Sequence, residues 1–157
     1  MPRRTVVLVS AVLVVAVALA VVAWVSATRA AATQRAGTDA VAAAGAAAQA
    51  IFSYDYRGFD ASVANGRQFV TGDFATEYAQ TTAALKASAE KEQAIVRAEV
   101  SAAGIVRATG DEAEVLLYVN QYRRNVNITG EKVDQNRVVL TLVPADGEWK
   151  VTHALAI

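Results

Sequence analysis

Hydrophobic and polar positions divide the chain into stretches of different character. From Thr5 to Thr28 no charged residue occurs, and Ser10 and Ser26 are the only polar ones between those two threonines. Twenty-four residues at helical rise span roughly 36 Å, against a hydrocarbon core of roughly 30 Å. The run contains neither proline nor glycine, so it can cross a bilayer as one tilted helix. Trp24 falls near its outer end, where an indole ring favours the interface. A cleaved signal peptide is the competing reading, with Arg3 and Arg4 as its positive region and Val25-Ser26-Ala27 as its cleavage site. Cleavable apolar regions run about 7–15 residues, and the greater length here favours an uncleaved signal anchor over residues 5–28. A short tail, residues 1–4 with two arginines, stays in the cytoplasm, which places the C-terminal part outside the cell membrane.

Residues 29–50 are dominated by alanine, with Gln34, Arg35, Asp39 and Gln49 as punctuation. The composition is strongly helix-forming but offers little side-chain area to bury. It predicts a helical stalk that continues toward Tyr56 and begins packing only at Ile51, Phe52 and Tyr54, with Arg57-Gly58 ending it. The folded domain is then expected over 51–157. Asp60 can cap a short second helix through Asn65, with Gly66 closing it. Thr71-Gly72-Asp73 starts a third helix, in which Phe74, Tyr78, Thr81, Leu85 and Ser88 share a stripe at spacings of four, three, four and three.

After Gln93 the pattern changes to β. Ile95 to Arg107, Ala113 to Arg124, Val133 to Pro144 and Glu148 to Leu155 are rich in Val, Ile, Leu and Tyr, and turn residues separate them. Gly110-Asp111, Asn127 to Gly130 and Asp146-Gly147 are the expected hairpin turns. A two-residue turn at Asp146-Gly147 sets Leu142 opposite Val151, Leu140 opposite His153 and Val138 opposite Leu155. Directly opposed residues share a face, so Val138, Leu140, Leu142, Trp149, Val151 and Leu155 gather on one apolar face, with His153 among them. The first hairpin likewise sets Arg107 opposite Glu114 on the solvent side.

Helices followed by a meander of strands predict an α+β domain, its helices packed on a twisted four-stranded antiparallel sheet. A sheet wrapped around helices in this way gives a cone with an inner cavity, as in the nuclear-transport-factor-2-like (NTF2-like, cystatin-like) superfold. That superfold hosts enzymes, binding modules and scaffolds, so it does not fix a function.

Charge and composition remove several function classes. The chain has 157 residues, with 15 basic and 15 acidic side chains. Setting aside Arg3 and Arg4 leaves 13 basic against 15 acidic residues, a formal net of −2 beyond the apolar run. That balance argues against a nucleic-acid partner, which needs a basic patch to neutralise phosphates. Without cysteine there is no disulfide framework, thiolate zinc site or thiol nucleophile, and the single histidine excludes a histidine-rich metal site. No cofactor motif is present: Gly104 and Gly110 lie in or beside strands and form no phosphate loop.

Three acid–base candidates remain. His153 on the apolar face can serve as a general base or be a hydrogen-bonded core histidine near the C-terminus. Asp55, between Tyr54 and Tyr56, can be desolvated with a raised pKa, as catalysis requires, or lie on the solvated side of its helix. Asp60 follows Phe59 and is better explained as a helix cap. None has a partner at a recognisable spacing, so the reading is of a non-enzymatic protein. The aromatics Tyr54, Tyr56, Phe59, Tyr118, Tyr122 and Trp149 can line an apolar cavity for a lipid-like ligand or fill it. Tyr54, Phe59, Tyr118, Trp149 and His153 are the candidate lining of such a pocket.

The ordered motifs resemble a known family. Ile51-Phe52-Ser53-Tyr54-Asp55-Tyr56, Thr71-Gly72-Asp73-Phe74 and Glu77-Tyr78 are similar to the helical part of Mce-associated membrane proteins. Val119-Asn120-Gln121, Val133-Asp134-Gln135-Asn136-Arg137 and Gly147-Glu148-Trp149-Lys150-Val151 look like the strands of the same group. The resemblance covers roughly residues 5 to 155, and Tyr122-Arg123-Arg124 departs from it in being more basic. It implies a single-pass protein of the actinobacterial cell envelope that accompanies mammalian-cell-entry (Mce) importers of lipids or sterols as an accessory or stabilising subunit. On that reading the partners are Mce complex proteins, the bilayer through residues 5–28, and a candidate lipid ligand. A ligand-binding module is the alternative function, and a small pocket enzyme comes after it. The family defines no catalytic residues to carry over.

Overall fold

The computed structural model describes residues 3–157, with side-chain surroundings from Val17 onward. Met1, Pro2 and the side chains of Arg3 and Arg4, on which the expected cytoplasmic tail and its orientation depend, lie outside the described residues. Helix α1 spans Arg3–Ile51. The chain divides into two units, Met1–Arg35 and Ala36–Ile157. In the first unit the described apolar side chains other than the half-buried Val25 are exposed, among them Leu19, Val22 and Trp24, the last 70% accessible. The helix from Val17 is long and apolar enough to cross a membrane.

The second unit begins earlier than residue 51, and the alanines are the reason. Ala40, Ala44, Ala47, Ala48 and Ile51 are buried and recur on one face of α1. They belong to the main core with Val115, Leu117, Val119, Leu140, Leu142 and Val151. Part of the segment expected as a stalk is therefore a core helix. Small side chains bury little area each, but they let a helix backbone approach a sheet closely, so larger residues on the sheet supply the apolar mass. Leu117, Leu140 and Leu142 are fully enclosed, each contributing roughly 1.5–3 kcal/mol of burial.

After α1 the chain forms a strand of two residues, β1 (Tyr54–Asp55), and a 3₁₀ turn (Tyr56–Gly58). Helices α2 (Phe59–Arg67) and α3 (Gly72–Glu92) follow. Four long strands complete the fold: β2 (Ile95–Ala108), β3 (Ala113–Arg124), β4 (Lys132–Ala145) and β5 (Glu148–Ala156). The antiparallel sheet has the order β1-β2-β3-β4-β5, so it has five strands where four were expected. Strand β1 pairs only as Tyr54 with Val96 and Asp55 with Ile95. A pair that short, inside what reads as the end of a helix, leaves no alternating pattern to detect. Asp60 does not cap α2 either. Gly58 holds the N-cap position without a side-chain bond, and Asp60 lies in the first turn.

Each hairpin closes where its turn residues stand. Asp146 and Gly147 both have positive φ, 55° and 82°, the mirror-image turn that suits strand twist. At the first hairpin Arg107 does face Glu114, and Arg107 Nη2 donates to its Oε1 at 3.2 Å. The β4–β5 register follows the expectation only at its start. Leu142 pairs with Val151, but then Thr141 pairs with His153, Leu140 with Ala154 and Val139 with Leu155. Thr152 is the extra residue of a β-bulge, and an extra residue moves everything beyond it to the opposite face. His153 and Leu155 therefore leave the core face, and Ala154 takes the inward place opposite Leu140.

Candidate functional site

Helices α2 and α3 and the inner face of the sheet enclose a cavity of about 300 Å³. Its apolar wall comes from Ile51 and Phe52 at the end of α1, Phe59 and Val63 of α2, Phe74, Tyr78 and Leu85 of α3, and Ala154 of β5. The stripe Phe74, Tyr78, Thr81, Leu85 read from the sequence thus faces the cavity. Ser88, one turn further, is exposed.

Several polar wall residues are hydrogen-bonded. Ser53 Oγ accepts a hydrogen bond from the Ala98 amide at 2.9 Å. Thr82 Oγ1 donates to the Tyr78 carbonyl at 2.7 Å, as threonine commonly does within a helix. Gln121 Oε1 accepts from Asn136 Nδ2 at 2.9 Å. Burial pushes the Tyr78 phenol above its ordinary pKa. The Tyr54 phenol is also raised, chiefly by burial, with the Arg123 charge opposing and the Glu92 charge reinforcing the shift. Tyr54 meets Phe59 edge to face at 5.5 Å between ring centres, a favourable aromatic geometry.

Of the five residues proposed from sequence as pocket lining, the structure brings Tyr54 and Phe59 to the cavity. Trp149 is half-buried against the main core, opposite Pro144 in the sheet, and does not line the cavity. Tyr118 points to the outer face of the sheet and is 45% exposed, because it alternates with the inward-facing Leu117 and Val119. His153 is exposed, carried outward by the bulge at Thr152. Tyr122 is likewise on the outer face, with the Arg97 guanidinium 4.7 Å from its ring centre. Val63, Gln121 and Ala154 belong to the wall but carried no sequence signal. Their positions depend on helix packing and on a bulge that periodicity does not mark.

Asp55 and Asp60 are each engaged by a basic side chain. Asp55 accepts from Arg57 Nε at 3.0 Å and from Arg57 Nη2 at 2.5 Å, and from the Arg57 amide at 2.9 Å. Those bonds hold its carboxyl below the usual range, the reverse of the raised value a desolvated acid would have. Asp60 is exposed and paired with Lys86 at 2.7 Å. Among the described residues no group of histidine, aspartate or glutamate side chains is arranged to hold a metal ion.

No protein-family model matches the chain. Two proteins of Mycobacterium tuberculosis, Uncharacterized protein Rv1362c of strain H37Rv and its counterpart in strain CDC 1551, are each 32% identical over 114 residues. Those residues are 72% of this chain and 52% of each relative, so the chain spans about half the length of the curated relatives it matches. Among solved structures, an IcmL-like type IV secretion system protein of Legionella pneumophila superposes with a TM-score of 0.62 at 16% identity, covering 74% of this chain and 88% of that one. CagV of Helicobacter pylori, a VirB8 homologue of a type IV secretion system, gives 0.60 at 10% identity, covering 74% and 94%. The periplasmic domain of DotI gives 0.56 at 15% identity, covering 74% and 91%. At these identities the likeness establishes the fold, an NTF2-like α+β domain.

Proposed function

We propose that the chain is a non-enzymatic, membrane-anchored accessory subunit of an Mce-type lipid or sterol import complex, with its NTF2-like domain on the outer side of the cell membrane. The observation that carries this reading is an exposed apolar helix, including Leu19, Val22 and Trp24, on the same chain as an NTF2-like domain. Apolar surface of that extent is stable only against lipid or protein. The solved neighbours add support, since one of them is named as a periplasmic domain and two as secretion-system proteins. The Mce partner itself rests on the sequence resemblance, from Ile51-Phe52-Ser53-Tyr54 to Gly147-Glu148-Trp149.

Affinity capture of the tagged full-length protein from native membranes in mild detergent, with mass spectrometry of the co-purifying proteins, tests the reading. Recovery of Mce proteins or their permease is the expected result. A bare protein under conditions that keep such complexes intact removes the accessory role. Protease treatment of intact spheroplasts checks the topology, with cleavage of the C-terminal domain expected.

A second reading is that the domain binds a small hydrophobic ligand. The cavity bounded by Phe52, Phe59, Phe74 and Leu85 favours it, since about 300 Å³ reaches the lower end of the ~300–1,000 Å³ typical of ligand sites.

A further inference from the structure

Strand register places a polar row beside the cavity. Tyr54 pairs with Val96, Val96 with Arg123, and Arg123 with Lys132. Opposed residues share a face, so Tyr54, Val96, Arg123 and Lys132 form one row across four strands. Arg123 is two residues beyond Gln121 on β3, which puts both on the inner face. Gln121 and Tyr54 line the cavity; Arg123 follows Gln121 on β3 and shares the row of Tyr54, which puts it at the cavity's rim.

The hydrogen bonding of this row is incomplete. Arg123 Nη2 donates to Asp134 Oδ2 at 2.8 Å, while its Nε is buried with no partner among the described residues. Lys132 Nζ lies 3.4 Å from the other oxygen of the same Asp134. Two cations thus share one carboxylate. Glu92 keeps its charge nearby, its carboxylate accepting from the neutral Asn125 Nδ2 at 3.1 Å, and among the described residues it forms no ion pair with Arg123 or Lys132. Glu77 belongs to the cavity wall on α3, an element that contributes nothing to the row. The Arg123 side chain remains 40% exposed, open to a partner from solvent. A charged N–H left unbonded out of water is costly, and a carboxylate is the partner that fits a guanidinium edge best.

Cavity size limits what is attached to such a head group. About 300 Å³ is roughly twice the ~150 Å³ of an apolar cavity that holds one benzene. That is room for one flexible chain of modest length, and too little for two chains or a rigid four-ring nucleus.

We propose that the cavity takes the hydrocarbon tail of a single-chain carboxylic acid, and that Arg123 and the Tyr54 hydroxyl hold its carboxylate at the rim. This rests on the ligand-binding reading and narrows it to one class of amphiphile. The tail lies against Phe59, Phe74 and Leu85. The carboxylate meets the exposed part of the Arg123 side chain, with Lys132 still beside Asp134.

The test uses the full-length chain in phosphatidylcholine nanodiscs and dodecanoic acid carrying a photoreactive diazirine midway along its chain. After irradiation and proteolysis, mass spectrometry locates the label. Labelling of the α2 and α3 peptides is expected, competed by unlabelled dodecanoic acid. Arg123→Gln should reduce it about tenfold or more, and Arg123→Lys should retain part of it. The methyl ester of the same probe, which has the tail without the charge, should label the cavity far less than the acid. Equal labelling by acid and ester overturns the head-group assignment and leaves the cavity as a ligand site. Label confined to the apolar N-terminal helix overturns both. Should Arg123→Gln lose its unfolding transition, the acid–ester comparison on the unaltered chain decides.

Discussion

The ring of Tyr78 occupies the space that a side chain at Gly66 would need. A Cβ built on Gly66 would lie 2.8 Å from Tyr78 Cζ and closer still to the hydroxyl, with the Ala50 carbonyl oxygen at 3.2 Å. Gly66 reads in the sequence as a helix stop, but it lies within α2, buried, and lets three helices meet. Tyr78 is itself 7% exposed, so its ring cannot swing away freely.

Gly66→Ala should therefore destabilise the domain. Overpacking of this kind costs about 1–3 kcal/mol, against about 1 kcal/mol gained from alanine's better helix propensity. A lower melting temperature of the full chain in nanodiscs is the expected result. Tyr78→Phe should be close to neutral alone and should recover part of the Gly66→Ala loss, because it removes the atom nearest the new methyl. A double-mutant cycle reads that coupling. Strict additivity would mean that the two positions do not compete for the same space.

The bulge at Thr152 makes an opposite pair of expectations for neighbouring residues. His153 is exposed and Ala154 lines the cavity. His153→Asp should change stability by no more than about 0.5 kcal/mol, as surface substitutions do. Ala154→Asp puts a carboxylate opposite the fully buried Leu140 and should cost about 1–3 kcal/mol or more. Chemical denaturation of the two variants side by side compares them. The reverse order of costs would restore the unbulged register and return His153 to the core face.

What the sequence discloses and what it hides follow from the kind of signal each element leaves. Asp146-Gly147 announces its turn because few residues tolerate two successive positive φ values. The stripe from Phe74 to Leu85 is visible because large apolar side chains contrast with their neighbours. Thr152 leaves no such mark, since an inserted residue looks like any other in an alternating strand. That one residue moves His153 and Leu155 off the core face. Tyr54 and Phe59 are identifiable as cavity residues by their size and by their nearness to the end of α1. Val63, Gln121 and Ala154 become wall residues only through tertiary packing. Arg123 stands out in the sequence only as part of the basic Tyr122-Arg123-Arg124, and its place in the inner row emerges only from three strand registers taken together.

Ala44 tests why the alanine-rich helix belongs to the core. It is fully buried and sits in the main cluster with Leu117 and Leu140. If the backbone of α1 approaches the sheet because its contacts are small, Ala44→Leu must push it away, at about 1–3 kcal/mol. Ala42→Leu, on the exposed side of the same helix, should be nearly silent. Hydrogen exchange of the β3 and β4 amides should accelerate in the first variant and not in the second. Equal behaviour of the two would mean that this part of α1 serves as a spacer.

Asp55 gives a pH dependence whose sign can be worked out. Its hydrogen bonds from Arg57 lower its folded pKa below the ordinary carboxyl value, which is about 4 in an unfolded chain. A group with a depressed folded pKa contributes stability that is fully present above the unfolded value and is lost as pH falls through the folded one. Asp55 caps the 3₁₀ turn that joins Tyr54 at the cavity rim to Phe59 in its wall. Asp55→Asn should therefore lower the melting temperature at pH 6–7, with the gap to the unaltered chain narrowing below about pH 4 and closing once the native carboxyl is protonated. A gap that stayed constant down to pH 2 would locate the loss in turn geometry instead of charge. The same variant should shift the Tyr54 ring and weaken cavity labelling by the dodecanoic acid probe, linking the capped turn to the site it positions.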